Sequence, residues 1–295
     1  MTATLDIRRP SPHVAEVWLN RPEVRNAFND EVIAELDAAF ATLGADAELR
    51  AIVLGGHGKA FCAGADLHWM RRMAGYSRDE NEADAARLAA MLWTIDSCPL
   101  PVVGRLQGDC YAGGIGLAAV CDVLVAAEGL QFCLSEARLG LLPATIGPYV
   151  VRALGPQASR RFFTTAERFD AATAKALGFV HEVVPAAQLD ARVGEIVAAL
   201  VANGPAAVRA CKRLVRDLAG RPIDAELRAD TARRIADIRA SAEGREGVAA
   251  FLGKREPAWR AAAAAEAAAE PAAVPAAAPA ATPATAGLGT TDRPA

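Results

Sequence analysis

What this sequence has little of narrows its function before any motif is read. Aromatic residues make up only 5% of the 295, and there are four histidines. Positive charge is not in excess: the formal net charge is −3. With no clustered Lys/Arg stripe evident along the chain, nucleic acid is disfavoured as a partner. The six cysteines, Cys62, Cys98, Cys110, Cys121, Cys133 and Cys211, include no CxxC pair, and most stand in apolar runs. That pattern favours buried reduced thiols over disulfides or a metal site. Outside the alanine-rich C-terminal stretch, no run of 18 consecutive apolar residues occurs, so no membrane span is expected. The opening MTATLDIRRP carries no apolar signal core. Together these absences predict a cytoplasmic protein with neither a nucleic-acid nor a membrane partner.

What is present is an ordinary globular composition, 53% hydrophobic and 23% charged, on a chain long enough for a sizeable core. β-rich runs alternate with helical ones. Strands are predicted at 13–19 (HVAEVWL), 49–54, 101–106, 122–126 and 179–184. Helices are predicted at 30–43 and at 82–96, where Leu88, Met91, Leu92 and Ile95 share a face. This alternation implies an α/β architecture over residues 1–185. From 186 to 260 every pattern is helical: 189–201, 205–218, 224–238 and 243–252. Val208, Cys211, Leu214, Val215 and Leu218 make an apolar stripe. Residues 261–295 are 23 parts alanine and proline in 35. Lacking bulky apolar residues to bury, they read as disordered, their first turns excepted.

Two loops gather small residues, KAFCAGADL (59–67) and GDCYAGGIG (108–116), each after a β-rich run. Helix starts leave backbone N–H groups unpaired. Two such groups aimed at one point make an oxyanion hole, and glycine lets a carbonyl approach the backbone. A turn with tight helix packing explains the same glycines equally well. Glu136 is a carboxylate between LQFCL and LGLL, a setting that raises its pKa unless Arg138 or Arg152 pairs with it.

RPEVRNAFN (21–29), AFCAGADL (60–67), GDCYAGGIGLAAVCD (108–122), SEARLGLLP (135–143), LGFVHEVVP (177–185) and AFLGKREPAW (250–259) occur in that order. Together they resemble the enoyl-CoA hydratase/isomerase (crotonase) family over roughly residues 5–260. Within it, the run from FCLSEARLG to HEVVP is most similar to bacterial methylglutaconyl-CoA hydratases.

The resemblance implies a crotonase-like spiral of ββα units with a C-terminal helical trimerisation region. It implies a homotrimer or dimer of trimers, and an acyl-CoA thioester as substrate. No cofactor is implied, because coenzyme A belongs to the substrate. The activity implied is reversible addition of water to an α,β-unsaturated acyl-CoA in leucine or related branched-chain catabolism. The amides of Ala65 and Gly113 would hold the thioester oxygen, and Glu136 would move the proton. Arg25, Lys59, Ala63, Asp66, Leu67, Gly114, Phe251 and Lys254 would lie along the substrate and its CoA. Asp66 is expected to act by stabilising its loop.

This chain departs from the family at one place. Where typical hydratases carry a first glutamate, it has Gly116. A Δ3,Δ2-enoyl-CoA isomerase, for which one glutamate suffices, is therefore the alternative. A non-catalytic acyl-CoA-binding relative or an RNA-binding one is the rival of another class. His57 and His68 are read as non-catalytic, and Asp122 as hydrogen-bonded locally at a helix end. Tyr111 and Tyr149 are candidates to receive a distal substrate carboxylate.

Overall fold

A computed structural model describes residues 4–261; the tail predicted to be disordered lies outside them except for Ala261. The chain opens with a hairpin, β1 (Leu5–Ser11) and β2 (Val14–Leu19), followed by helix α1 (Asp30–Ala45). In β2, Ala15, Val17 and Leu19 are buried while Val14, Glu16 and Trp18 are not, the period of two that a half-covered strand requires. Asn29 caps α1, its side chain accepting from the Val32 amide at 3.0 Å. Val32, Ile33, Leu36 and Phe40 form the buried stripe of α1.

Three times the chain then repeats one unit: a strand in a large sheet, a short strand in a small sheet, and helix. The first unit is β3 (Ala51–Gly56), β4 (Ala60–Cys62), α2 (Leu67–Met73) and α3 (Arg78–Ser97). The second is β5 (Val102–Leu106), β6 (Asp109–Tyr111) and α4 (Gly113–Ala119). The third is β7 (Val123–Ala127), β8 (Gln131–Cys133) and, after a 3-10 turn at Glu136–Leu139, α5 (Gly147–Thr165). There follow β9 (Arg168–Asp170), α6 (Ala171–Ala176), β10 (Glu182–Val184), α7 (Leu189–Ala202), α8 (Pro205–Leu218), α9 (Ala225–Ala240) and α10 (Ala242–Leu252).

The large sheet has the order β1-β2-β3-β5-β7-β10, parallel from β2 onward. The small sheet has the order β4-β6-β8-β9. Every residue of β3 is buried, as befits a parallel strand covered on both faces.

Several elements differ from the sequence expectation, for physical reasons. The small sheet was not foreseen, since its strands have three residues each, too few to show a period. Strand β1 was hidden because its outer residues are charged and exposed. Helix α5 was hidden by Gly155 (φ +76°) and Pro156, which break its pattern midway. Helix α7 begins after residue 185, yet it packs Leu189, Val193 and Val197 onto Val53, Val103 and Val125 of the large sheet.

Asp122 does not bond locally. Its Oδ2 accepts from the Val102 amide at 2.7 Å and from Lys212 Nζ at 2.6 Å. Burial raises its pKa and Lys212 opposes that rise. The helical spacing also brings Arg209, Lys212, Arg213 and Arg216 to one face of α8, a basic stripe not recognised in the sequence. Arg209 donates to the carbonyls of Asp46 and Leu49, Lys212 to that of Leu100, and Arg216 lies over the Trp93 ring.

Candidate active site

Strands β4, β6 and β8 run parallel and adjacent, with Cys62 opposite Cys110 and Tyr111 opposite Cys133. They end at Cys62, Tyr111 and Cys133, and within three residues of those ends come Ala65, Gly113 and Glu136. Sheet topology alone thus gathers the three residues at one edge. Ligands of parallel α/β sheets bind outside such carboxyl ends.

The Ala65 loop is held from beneath by residues 25–28. Ala63 donates to the Arg25 carbonyl at 3.0 Å, Phe28 to the Gly64 carbonyl at 2.9 Å, and Asp66 to the Phe28 carbonyl at 2.9 Å. Phe28 and Ala65 so form an isolated parallel bridge. Asp66 is buried at 3% exposure. It caps α2 by accepting from the amides of His68 (2.7 Å) and Trp69 (3.2 Å), and it accepts from Arg21 Nη2 at 2.9 Å. Burial pushes its pKa up, but the two amides and Arg21 outweigh burial and hold it below the usual carboxylate value. With its oxygens engaged in this way, Asp66 braces its loop.

The second loop carries backbone strain. Ala112 precedes α4 with φ +48° and ψ −122°, a conformation costing an alanine about 1–3 kcal/mol. Its amide is pinned to the Cys133 carbonyl at 2.8 Å. A β-carbon on Gly64 (φ +91°) would stand 3.0 Å from Ala112 Cβ and 3.5 Å from Gly113 N, so the two loops touch. Neither the Ala65 amide nor that of Gly113 has an acceptor among the described residues. Both residues are partly accessible.

The glycines of α4 prove to be matters of contact. A β-carbon on Gly113 would lie 2.4 Å from Phe28 Cζ, on Gly114 2.5 Å from the Cys62 carbonyl oxygen, and on Gly116 2.1 Å from Ile146 Cγ2. The space beside Gly113 Cα is therefore filled by a ring and is not vacant for a substrate carbonyl. Gly114 is buried against β4. At Gly116, where the family's other carboxylate would be, a methyl group of Ile146 closes the position.

Glu136 Oε2 is shielded from solvent and has no hydrogen-bond partner among the described residues. Neither candidate arginine reaches it: Arg138 donates to the Ala166 carbonyl at 2.5 Å, and Arg152 pairs with Asp96. Burial raises the Glu136 pKa, only partly offset by a backbone hydrogen bond. The Tyr111 hydroxyl donates to Asp109 Oδ2 at 2.8 Å, and burial, then that carboxylate, push its pKa up to about 12. It is thus engaged within the fold. Tyr149 is half-buried, with Arg152 over its ring.

Of the remaining predicted residues, Arg25, Lys59 and Leu67 are exposed around the Ala65 loop. Phe251 and Lys254 are exposed on and just after α10, which packs against α8 and α9. His57 lies elsewhere, bonded to Asp6 at 3.0 Å and stacked on Trp18. Phe28 is the site residue that sequence reasoning passed over; it stood within RPEVRNAFN, but its contacts join segments 36 and 85 positions away and leave no local trace.

Comparison with known proteins places the chain in a family. The Enoyl-CoA hydratase/isomerase family model matches residues 10–262. The enoyl-CoA hydratase ACTT6 of Alternaria alternata is 34% identical over 251 residues, covering 82% of this chain and 80% of its own. The mevalonyl-coenzyme A hydratase sidH of Aspergillus fumigatus is 32% identical over 257 residues, covering 85% and 93%. The crystal structure of an enoyl-CoA hydratase from Shewanella pealeana superimposes with a TM-score of 0.84 at 39% identity, covering 87% of this chain and 96% of that one. The chain thus has the crotonase fold, belongs to the enoyl-CoA hydratase/isomerase family and is an enzyme of the hydratase type.

Proposed function

We propose that the chain adds water reversibly to methylglutaconyl-CoA, with Ala65 and Gly113 binding the thioester oxygen and Glu136 carrying the proton. The observation that supports this most is Glu136 itself: a shielded carboxylate oxygen without a protein partner, on the sheet edge that also bears two unengaged amides.

Ionised Glu136 takes a proton from water as the oxygen bonds to the β-carbon. The alkene electron pair moves through the α-carbon onto the thioester oxygen, giving an enolate. The two amides stabilise that charge; one such donor is typically worth roughly 10²–10³ in rate. The enolate collapses, and Glu136 returns its proton to the α-carbon. A raised pKa suits a group that must both accept and release a proton near neutrality. One carboxylate is asked to do both steps because Gly116 has no room to carry another.

Methylglutaconyl-CoA is proposed on the sequence resemblance. A relative named for mevalonyl-CoA, another acyl group branched by a methyl at the β-carbon, supports a branched substrate. In this reading Arg25 and Lys59 meet the CoA phosphates, and Ala63, Leu67 and Gly114 border the acyl thioester. Phe251 and Lys254 reach the CoA of a neighbouring subunit. A trimeric assembly is supported by α8–α10, where Val215, Ile235, Val248, Phe251 and Leu252 are exposed in the single chain. The isomerase reading draws on the same single carboxylate.

The test is a spectrophotometric assay following loss of the conjugated enoyl absorbance. Hydration of methylglutaconyl-CoA should exceed that of crotonyl-CoA. Migration of a 3-enoyl double bond without hydration of either substrate would make the enzyme an isomerase.

A further inference from the structure

Phe28 touches both proposed carbonyl-binding loops, and in two different ways. Its backbone grips the first loop: its amide donates to Gly64 and its carbonyl accepts from Asp66, each at 2.9 Å. These two bonds flank Ala65 and fix the peptide plane that carries the Ala65 amide. Its side chain abuts the second loop: the ring stands where a β-carbon of Gly113 would be, with Cζ at 2.4 Å and Cε1 at 2.9 Å from that point.

Phe28 is itself immobilised. It is 2% exposed, and its ring packs on Trp69 with centroids 6.0 Å apart. Trp69 belongs to α2, which begins at the Asp66 cap. The Asn29 cap of α1 follows directly in sequence. One rigid residue thus links β4's loop, α4 and the start of α1.

We infer that Phe28 is a positioning residue, whose backbone and ring together set the distance and relative direction of the Ala65 and Gly113 amides. The inference rests on the reading of those amides as the thioester-oxygen site. The physical basis is that an oxyanion donor pair acts only when held at about 2.7–3.1 Å from the oxygen that it serves. Glycine at 113 allows the tip of the ring to sit directly against the backbone of the second loop, so the length of the side chain becomes the spacer. A smaller side chain at 28 leaves the backbone bridge in place but lets the second loop sink.

The experiment uses full-length protein carrying Glu136→Gln, so that bound crotonyl-CoA is turned over slowly and spectra can be taken before hydration. The readout is the thioester C=O stretch of carbonyl-labelled crotonyl-CoA by isotope-edited infrared difference spectroscopy. With Phe28 intact, the band should fall below its position in water. With Phe28→Leu, less than half of that displacement should remain, while affinity for free CoA stays within about twofold. In the otherwise native enzyme, Phe28→Leu should lower kcat by roughly tenfold or more with little change in KM, since misplacing a group by about 1 Å can cost 10²-fold. Phe28→Met, closer in volume and flexible, serves as the second variant should Phe28→Leu fold poorly; it should show the same loss. An undiminished band displacement in either folded variant would overturn the role of Phe28 and leave the proposed site standing. No displacement even with Phe28 intact would overturn both.

Discussion

Gly116 and Ile146 are packed so tightly that a β-carbon on the glycine would stand 2.1 Å from Ile146 Cγ2. Helix α4 meets the start of α5 at this point, and Ile146 is 2% exposed. The contact explains both why a seven-residue helix carries glycine there and why no carboxylate side chain fits at position 116.

Enlarging the glycine should therefore damage the fold before it affects chemistry. Gly116→Ala is expected to destabilise by about 1–3 kcal/mol, the usual range for overpacking a filled core. Ile146→Ala in the same protein should recover part of that loss, a coupling that a double-mutant cycle in urea measures. Additive effects would show that the two side chains do not compete for space.

Gly113 is subject to the same argument. The β-carbon of Gly113→Val would overlap the Phe28 ring. Reduced thermal stability should accompany the loss of activity, visible as a lower Tm by circular dichroism.

The ion pair Asp122–Lys212 ties α8 to the starts of β5 and β7. Lys212→Met leaves a partly exposed carboxylate without its cation, and the Leu100 carbonyl without its donor. It should cost about 2 kcal/mol. Asp122→Asn combined with Lys212→Met should cost less than Lys212→Met alone, as measured by chemical denaturation.

Glu136 and Asp66 should give stability opposite dependences on pH. The folded-state pKa of Glu136 is raised by burial, so the folded protein binds the extra proton. Its contribution is full below the ordinary value of 4.5 and is lost as pH rises through the folded pKa. The Asp66 pKa is lowered, because its amide and Arg21 partners outweigh the burial that alone would raise it. Its contribution is full above its ordinary value of 3.8 and is lost as pH falls through the folded value. Glu136→Gln should thus raise Tm at pH 7 more than at pH 4. Asp66→Asn should lower Tm at pH 7 and converge with the native protein in acid.

The α/β alternation, the late helices and both small-residue loops were legible in the sequence because each has a local signature: periodicity, caps, or clustered glycine. The motifs in order also pointed to Ala65, Gly113 and Glu136. Contacts between distant segments were not legible. Nothing near Gly116 announces Ile146, nothing near Gly113 announces Phe28, and Asp122 finds its partner ninety residues away. The small sheet that aligns the three site residues was hidden for a different reason, since strands of three residues acquire identity only by pairing.

The most direct test of the account is the kcat of Glu136→Gln with methylglutaconyl-CoA, measured beside the native enzyme at neutral pH. The amide keeps the shape of the side chain and removes its proton chemistry. The account predicts a folded protein whose kcat falls by about 10² or more, the scale of general acid–base catalysis. Hydration by Glu136→Gln at the native rate would contradict it, and would place the proton on another group.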